Sequence, residues 1–436
     1  MELRSKKNLA EALLIGNKEV VSTVAGKLLK LKKNNFVERP WGGMSIRSFK
    51  GLCPLLNQVA VSGMGLGEAF ELSAWDGDAE SKMHPSLLRF DDGSEVTLPE
   101  LLRVRAQDFL SEEFITSYGK AFPLLIKTLD IKELLSVQGH PEGNTELYII
   151  IDAEPGATLR LGFRENIQLE LLKKNLLKGR FQQETLLKTL DPIMSQSELQ
   201  EILQPWISQR KASFSALIVN SNIRDVELWL SVEEILIELK VLYWQVLDSM
   251  NVIPVKPGQV IYNANPQRLL GQTGKLATAE VHALGNPENK EILALEIRRP
   301  GVTFRAWDNV RFPIREIDIS SAFEVLNLQK TKANEFIVEP KKVNNRPGTF
   351  CSLDNDIFCV EHLKPNEKVS VLVPEMSPHY LYAIRGRARF FGVNDSEIGI
   401  LEQGESAIIS KAIGSYRVES MGPETEIIKV SLPVGV

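Results

Sequence analysis

Gln138, His140 and Glu146 are the residues of this chain whose types and spacing could do chemistry. They lie in Leu134-Leu-Ser-Val-Gln-Gly-His-Pro141, followed by Asn144-Thr-Glu146 and an apolar run. In an extended segment alternate side chains share a face, so Gln138 and His140 point the same way. Glu146 opens the next predicted strand, a short turn away. A carboxamide oxygen, an imidazole and a carboxylate converging from two adjacent strands make most of a hard-to-borderline metal site. A metal held inside a β-barrel would orient and polarise an oxygen-rich small molecule. The bland alternative is a buried histidine and glutamate satisfied by hydrogen bonds, which is costly to bury without an ion.

The chain has five histidines, which narrows the search for a fourth ligand. His282 is best placed, alternating with Glu280 and Leu284 on one strand face. The competing readings are a satisfied core histidine, with water or another group completing the site. His84 falls in a loop, and His362 and His379 belong to the C-terminal part. Arg305 and Arg311, in the segment from Gly301 to Phe312, suit a phosphate or a charge developing on oxygen. A guanidinium offers several directed donors, although each arginine alone is more often a surface ion-pair partner. Arg298-Arg299 reads as a solvated turn. Trp41 could wall a sugar pocket with its flat ring or be ordinary core. Gly63-Met-Gly-Leu-Gly67 precedes a strand instead of capping a helix, which argues against a phosphate loop.

These residues need a scaffold, and the composition is that of a soluble globular protein. The chain has 436 residues, 43% hydrophobic and 25% charged, enough for two or three domains. A formal charge of −5 gives no reason to expect nucleic acid or an anionic membrane as partner. The N-terminal segment lacks the apolar core of a signal peptide, and no apolar run reaches bilayer length. Cys53, Cys351 and Cys359 show no paired framework, which fits a reducing cytoplasm. Residues 1–35 read as a helical arm, ending in the basic run after Lys30. Residues 36–165 have the texture of short strands, 166–250 are nearly all helical, and strands resume over 251–340. Leu276–Leu284 and Glu291–Arg298 read as a hairpin around the turn-rich Gly285–Asn289. After a polar linker, 348–436 reads as a second all-β unit. A helical insertion between two parts of one barrel explains this order best, because either strand set alone would leave open edges.

Taken together, Trp41-Gly-Gly, Gly67-Glu-Ala-Phe-Glu-Leu-Ser73, Phe122-Pro-Leu-Leu-Ile-Lys127, Leu135-Ser-Val-Gln-Gly-His-Pro141, Thr145-Glu146 and Val255-Lys-Pro-Gly258 resemble type I mannose-6-phosphate isomerase. The resemblance runs on through Leu295-Glu296 and Thr303-Phe-Arg305. It implies a mainly β double cupin, two jelly-roll barrels with a helical domain inserted into the first. It also implies a cytoplasmic isomerase of carbohydrate metabolism that interconverts mannose-6-phosphate and fructose-6-phosphate. The metal, usually zinc, would be held by Gln138, His140, Glu146 and a later histidine matched by His282. Arg305 would match the catalytic arginine. Glu296, where the family has an acid in the pocket, is the candidate for handling the proton, with a metal-bound water or His282 as the alternatives. Ser136, Arg311 and Trp41 would contact the sugar phosphate.

Four departures cluster at the expected site. The loop after His140-Pro is short, and Asn144 stands where the resemblance implies a lysine. Asn263–Leu269 replaces the expected histidine segment, with Arg268 or Leu269 at the ligand position, and Pro300-Gly301 replaces an acid. They leave two readings beside the isomerase for this sugar phosphate. One is an isomerase of another, unphosphorylated aldose. The other is a catalytically degenerate cupin that binds a sugar or sugar phosphate. Nothing in the sequence sets the number of subunits.

Overall fold

The computed structural model describes residues 8–52, 65–75, 77, 79–220, 226–264, 278–365, 368–372 and 376–434. Every ladder among the described strands is antiparallel. A seven-stranded sheet runs Ile337–Val338, Val260–Asn263, Glu146–Ala153, Ile292–Arg298, Phe122–Ile131, Gly65–Ala74, Phe36–Arg39. It faces a five-stranded sheet of Met250–Pro254, Thr158–Phe163, His282–Ala283, Val137–Gly139 and Phe304–Trp307. Leu129, Tyr148, Ile150 and Ile292 from the first pack against Leu159, Leu161 and Ile253 from the second.

The strand Phe122–Ile131 is buried along its whole length, because both faces of its sheet are covered. Leu124 and Ile126 point outward onto a second pair of sheets, together with Leu147, Ile149, Leu295 and Ile297. Val360, Tyr380, Tyr382, Ile428 and Val430 meet them from the other side. Alternation therefore turns Lys127, Glu146, Glu296 and Arg298 inward, toward the five-stranded sheet.

The helices Leu169–Leu190, Gln196–Ser208, Phe214–Asn220, Val226–Ser231 and Glu233–Ser249 leave the five-stranded sheet after Phe163 and return at Met250. These two ends are paired neighbours, Met250 opposite Phe163, so the excursion leaves the sheet unbroken. Leu236, Leu239, Trp229 and Leu203 pack beneath Val137, Val281, Ala283 and Trp307. The helical layer thus seals the outer face of the five-stranded sheet and leaves its inner face to the cleft. No helix among the described residues is long and apolar enough to cross a membrane.

The remaining seven-stranded sheet is built around His379–Arg385, Glu426–Ser431, Cys359–Leu363 and Thr349–Asp354. It faces a four-stranded sheet through Leu381, Ala383 and Ile427 against Phe390, Leu401 and Val418. A buried ion pair, Lys50 with Glu71, crosses the layer between the two large sheets, with Thr128 and Tyr382 hydroxyls on Glu71.

Three local expectations change. The N-terminal helix is two, Leu9–Leu14 and Lys18–Ala25, broken at Gly16 in a left-handed conformation (φ 80°) and restarted by the Asn17 cap. Leu29–Lys30 then pairs with Ile408 and Ala407 of the second unit instead of ending a helix. The hairpin also dissolves: His282–Ala283 belongs to the five-stranded sheet and Ile292–Arg298 to the facing one. Gly285, at φ 96°, lies too close to the Glu133 carbonyl for a Cβ, so the chain turns there between sheets. Cys53 and the segment of Arg268 and Leu269 lie outside the described residues.

Candidate metal centre

Gln138 occupies the middle of a three-strand row on the five-stranded sheet, with His282 in register on one side and Arg305 on the other. His140 follows two residues on, and its ring stacks on that of His282 with centroids 5.2 Å apart. Glu146 comes from the facing seven-stranded sheet, not from an adjacent strand as the sequence suggests. The turn after His140 crosses between sheets, so the carboxylate approaches the imidazoles head-on. Glu146 Oε1 lies 2.8 Å from His140 Nε2, and Oε2 lies 3.3 Å from His282 Nε2. All three side chains are buried, with ligand atoms within 4.8 Å of one another.

The outer nitrogens decide what the inner ones can do. His140 Nδ1 faces the Val302 carbonyl at 3.2 Å, and His282 Nδ1 faces the Glu280 carbonyl at 2.9 Å. A carbonyl only accepts, so both Nδ1 atoms carry hydrogen, and in the neutral rings both Nε2 lone pairs aim at the carboxylate. His140 Nε2 is buried and faces Glu146 Oε1. Lone pairs converging on a carboxylate repel unless a cation stands among them, which fits a divalent metal ion. Gln138 completes the donor set. Its Nε2 is 2.9 Å from His282 Nε2 and its Oε1 is 3.1 Å from Ser136 Oγ. A half-turn of the amide would present the oxygen, and a hydroxyl partner tolerates either orientation.

Burial alone would raise the pKa of Glu146, but positive charge at His140, His282 or Arg298 holds it well below the usual carboxylate range, so the carboxylate stays ionised to meet a cation. Burial lowers the pKa of His282 against the pull of Glu146, favouring the neutral, ligating imidazole. Tyr148 donates its hydroxyl hydrogen to Glu146, and Asn263 Nδ2 approaches the same oxygen at 3.4 Å. These groups orient the carboxylate as an outer shell orients a metal ligand.

Above the cluster opens a cleft of about 330 Å³. Five cationic side chains (Arg39, Lys127, Arg298, Arg305 and Arg315) line it against three carboxylates (Glu68, Glu146 and Glu296), so it suits an anion. Arg305 donates to Ser136 Oγ at 3.3 Å and to the Glu316 carbonyl at 2.8 Å, which holds its plane beside Gln138. Glu296 lies in the wall, where burial and then the charge of Glu146 push its pKa to about 7, despite Lys127 and Arg298. Trp41 closes one side, 4% exposed, with its carbonyl accepting from the amides of Lys132 and Glu133.

Gln138, His140, Glu146, His282, Arg305, Glu296, Ser136 and Trp41 therefore come together around one cleft. Arg311 does not. It is buried behind the wall, donating to the Leu134 carbonyl at 2.7 Å and lying 3.5 Å from Glu133. Arg315, four residues on, lines the cleft instead and is held by Asp308. The expected solvated turn at Arg298 is also corrected: Arg298 is 2% exposed, 3.8 Å from both Glu146 and Glu296. Its position two residues after Glu296 on one strand was a signal for the same face. Asn144, at the expected lysine position, is buried with neither carboxamide atom hydrogen-bonded.

Residues 77–156 match the family model for the catalytic domain of type I phosphomannose isomerase. The Bacillus subtilis protein named "Probable mannose-6-phosphate isomerase GmuF" is 29% identical over 151 residues, 32% of this chain. That match spans 42% of the relative's length. The crystal structure of mannose 6-phosphate isomerase from Bacillus subtilis superposes with a TM-score of 0.59 at 18% identity, covering 93% of this chain and 99% of that one. A mannose 6-phosphate isomerase bound with zinc and yttrium gives 0.58 at 15% identity, covering 94% and 100%. At these identities the structural likeness speaks for the fold.

Proposed function

We propose that this chain, a diverged member of the type I phosphomannose isomerase family, is a metal-dependent aldose–ketose isomerase of mannose-6-phosphate or a related sugar phosphate. The observation that carries the proposal is the meeting of two imidazole lone pairs and one carboxylate at the floor of a cationic cleft. On this reading the two pairs of facing sheets are two cupin barrels, with the helices of residues 166–250 inserted into the first. We place the reaction in the cytoplasm, the compartment that the three scattered cysteines of the sequence suggest.

The reaction moves one proton between neighbouring carbons through an enediolate. A divalent ion, zinc by the family resemblance, held by Gln138, His140, Glu146 and His282 would polarise the substrate's carbonyl and hydroxyl oxygens. Glu296, whose pKa burial raises toward neutrality in the metal-free protein, takes the proton from one carbon and returns it to the next. A carboxylate with a pKa near neutrality both accepts and releases a proton without a large energy gap. Arg305 places its guanidinium beside Gln138 and stabilises the oxyanion of the enediolate. Arg315 supplies the charge that holds the phosphate, the role that the sequence alone suggests for Arg311. Trp41 covers the sugar face and excludes water.

A coupled assay for fructose-6-phosphate formed from mannose-6-phosphate tests the proposal on protein loaded with zinc. Turnover that disappears on chelation and returns with the metal supports it. Stoichiometric metal with no turnover on any aldose phosphate would favour the second reading, a cupin that binds the sugar phosphate without converting it. The observation behind that reading is Asn144, an uncharged buried amide where a cation is expected.

A further inference from the structure

The C-terminal unit carries a thiol pair that the isomerase chemistry does not use. Thr349–Asp354 and Cys359–Leu363 are paired antiparallel strands joined by a short turn. Cys351 stands opposite Glu361, and Cys359 precedes Glu361 by two, so both cysteines share one face as diagonal neighbours. The register shifts between Cys351 and Leu353, and such a bulge re-aims the side chains beside it. Cys351 donates its S–H to the Leu353 carbonyl at 3.4 Å, which leaves its sulfur lone pairs to receive the thiol of Cys359. Both residues are half-buried and neither is in a disulfide.

We infer that Cys351 and Cys359 form a reversible thiol–disulfide modification site on the hairpin that backs the metal centre. The strands are already paired, both side chains lie on one face and the Cys359 thiol hydrogen-bonds to Cys351, so the bridge would close within one hairpin. The contact also differentiates the two thiols. The S–H of Cys359 lowers the pKa of Cys351 below the ordinary thiol value, and the same bond pushes that of Cys359 up. Cys351 is thus the attacking thiolate and Cys359 the resolving thiol. With a small-molecule disulfide as oxidant, the Cys351 thiolate attacks one sulfur and expels the first small thiolate. Cys359 then loses its proton, attacks the Cys351 sulfur and expels the second. One disulfide is consumed, one is formed and two small thiols are released.

The hairpin's location gives the modification a reach beyond its own sheet. Asn355, in the turn, donates to the Tyr262 hydroxyl at 2.9 Å, and that hydroxyl donates to Thr145 Oγ1, next to Glu146, at 3.1 Å. The Ile357 carbonyl accepts from Arg299, next to Arg298, at 3.2 Å.

The test incubates the full-length protein in graded ratios of oxidised to reduced glutathione, traps remaining thiols by alkylation, and maps tryptic peptides by mass. Both cysteines fall in one tryptic peptide, residues 343–368, because Arg346 and Lys364 each precede proline. This peptide should escape alkylation and lose the mass of two hydrogens, a change reversed by dithiothreitol. Titratable thiols should fall from three to one, the survivor being Cys53. The Cys53→Ser variant should behave as the parent, and Cys351→Ser and Cys359→Ser should each lose the internal bridge. Full alkylation of both thiols at oxidising ratios, separate glutathione adducts on each, or a bridge to Cys53 or to another molecule would each overturn the inference.

Discussion

Replacing Glu296 by glutamine asks whether the cleft holds a carboxylic acid tuned for proton transfer. Glu296 stands in register between Lys127 and Tyr148 on the neighbouring strands. Burial, with the charge of Glu146, moves its pKa from 4.5 to about 7. An acid whose folded pKa exceeds its unfolded value opposes folding once it ionises. The opposition is absent below pH 4.5, grows between the two values and is complete above about 7. The displacement is equivalent to about 3 kcal/mol. Glutamine has the same shape and no charge. In metal-free protein, Glu296→Gln should therefore match the parent in stability at the acidic end and exceed it by up to about 3 kcal/mol above neutrality. A divalent cation beside Glu146 should lower the Glu296 pKa and shrink that gain. In the metal-loaded enzyme the same substitution should cut turnover by about 10²–10⁴ and remove the acidic limb of the kcat/KM profile. Urea unfolding of chelated protein from about pH 5 to about pH 8 measures the first effect and the coupled assay the second. A stability difference that stays flat across the series, or turnover within a few-fold of the parent, would refute the reasoning.

Three further substitutions separate roles that the cleft assigns to its other residues. His140→Ala should lose the bound metal as measured by elemental analysis, and retention of stoichiometric metal would remove the buried cluster from consideration. Arg305→Ala should lower turnover by about 10²–10³ with an unchanged melting temperature, and Arg305→Lys should recover only part of it, because lysine lacks the planar fork. A mild effect would make Arg305 a structural residue. Arg311→Ala should cost stability, about 1–3 kcal/mol, because the Leu134 carbonyl and Glu133 lose a buried donor while Asp308 keeps Arg315. Arg315→Ala should instead raise KM for the phosphorylated substrate. If Arg311→Ala folds normally and raises KM while Arg315→Ala does not, the phosphate assignment reverses.

The unequal legibility of these residues has a structural cause. The alternation of Gln138 and His140 is written in the chain, since side-chain direction along a strand repeats every second residue. So is the helical excursion, whose apolar spacing changes period between Phe163 and Met250. The same alternation was available for Glu296 and Arg298, but two consecutive arginines before a proline look like a turn, and burial overrode that appearance. Arg311 and Arg315 could not be ordered from local spacing. Which of them faces the cleft depends on how the segment after Phe304–Trp307 folds back over Asp308 and Glu133.

By itself the sequence determined the donor types, an amide, an imidazole and a carboxylate close together, because these are properties of residues and of spacing along one strand. It also determined that strands are interrupted by helices and then resume. Only the tertiary structure decided that Glu146 meets the histidines from a facing sheet and that His282 lies in register with Gln138. The tertiary structure likewise put Arg315, and not Arg311, in the wall of the cleft. Strand pairing joins segments more than a hundred residues apart, as between Gln138 and His282. A local pattern fixes which face a side chain takes on its own strand, but not which strand lies opposite.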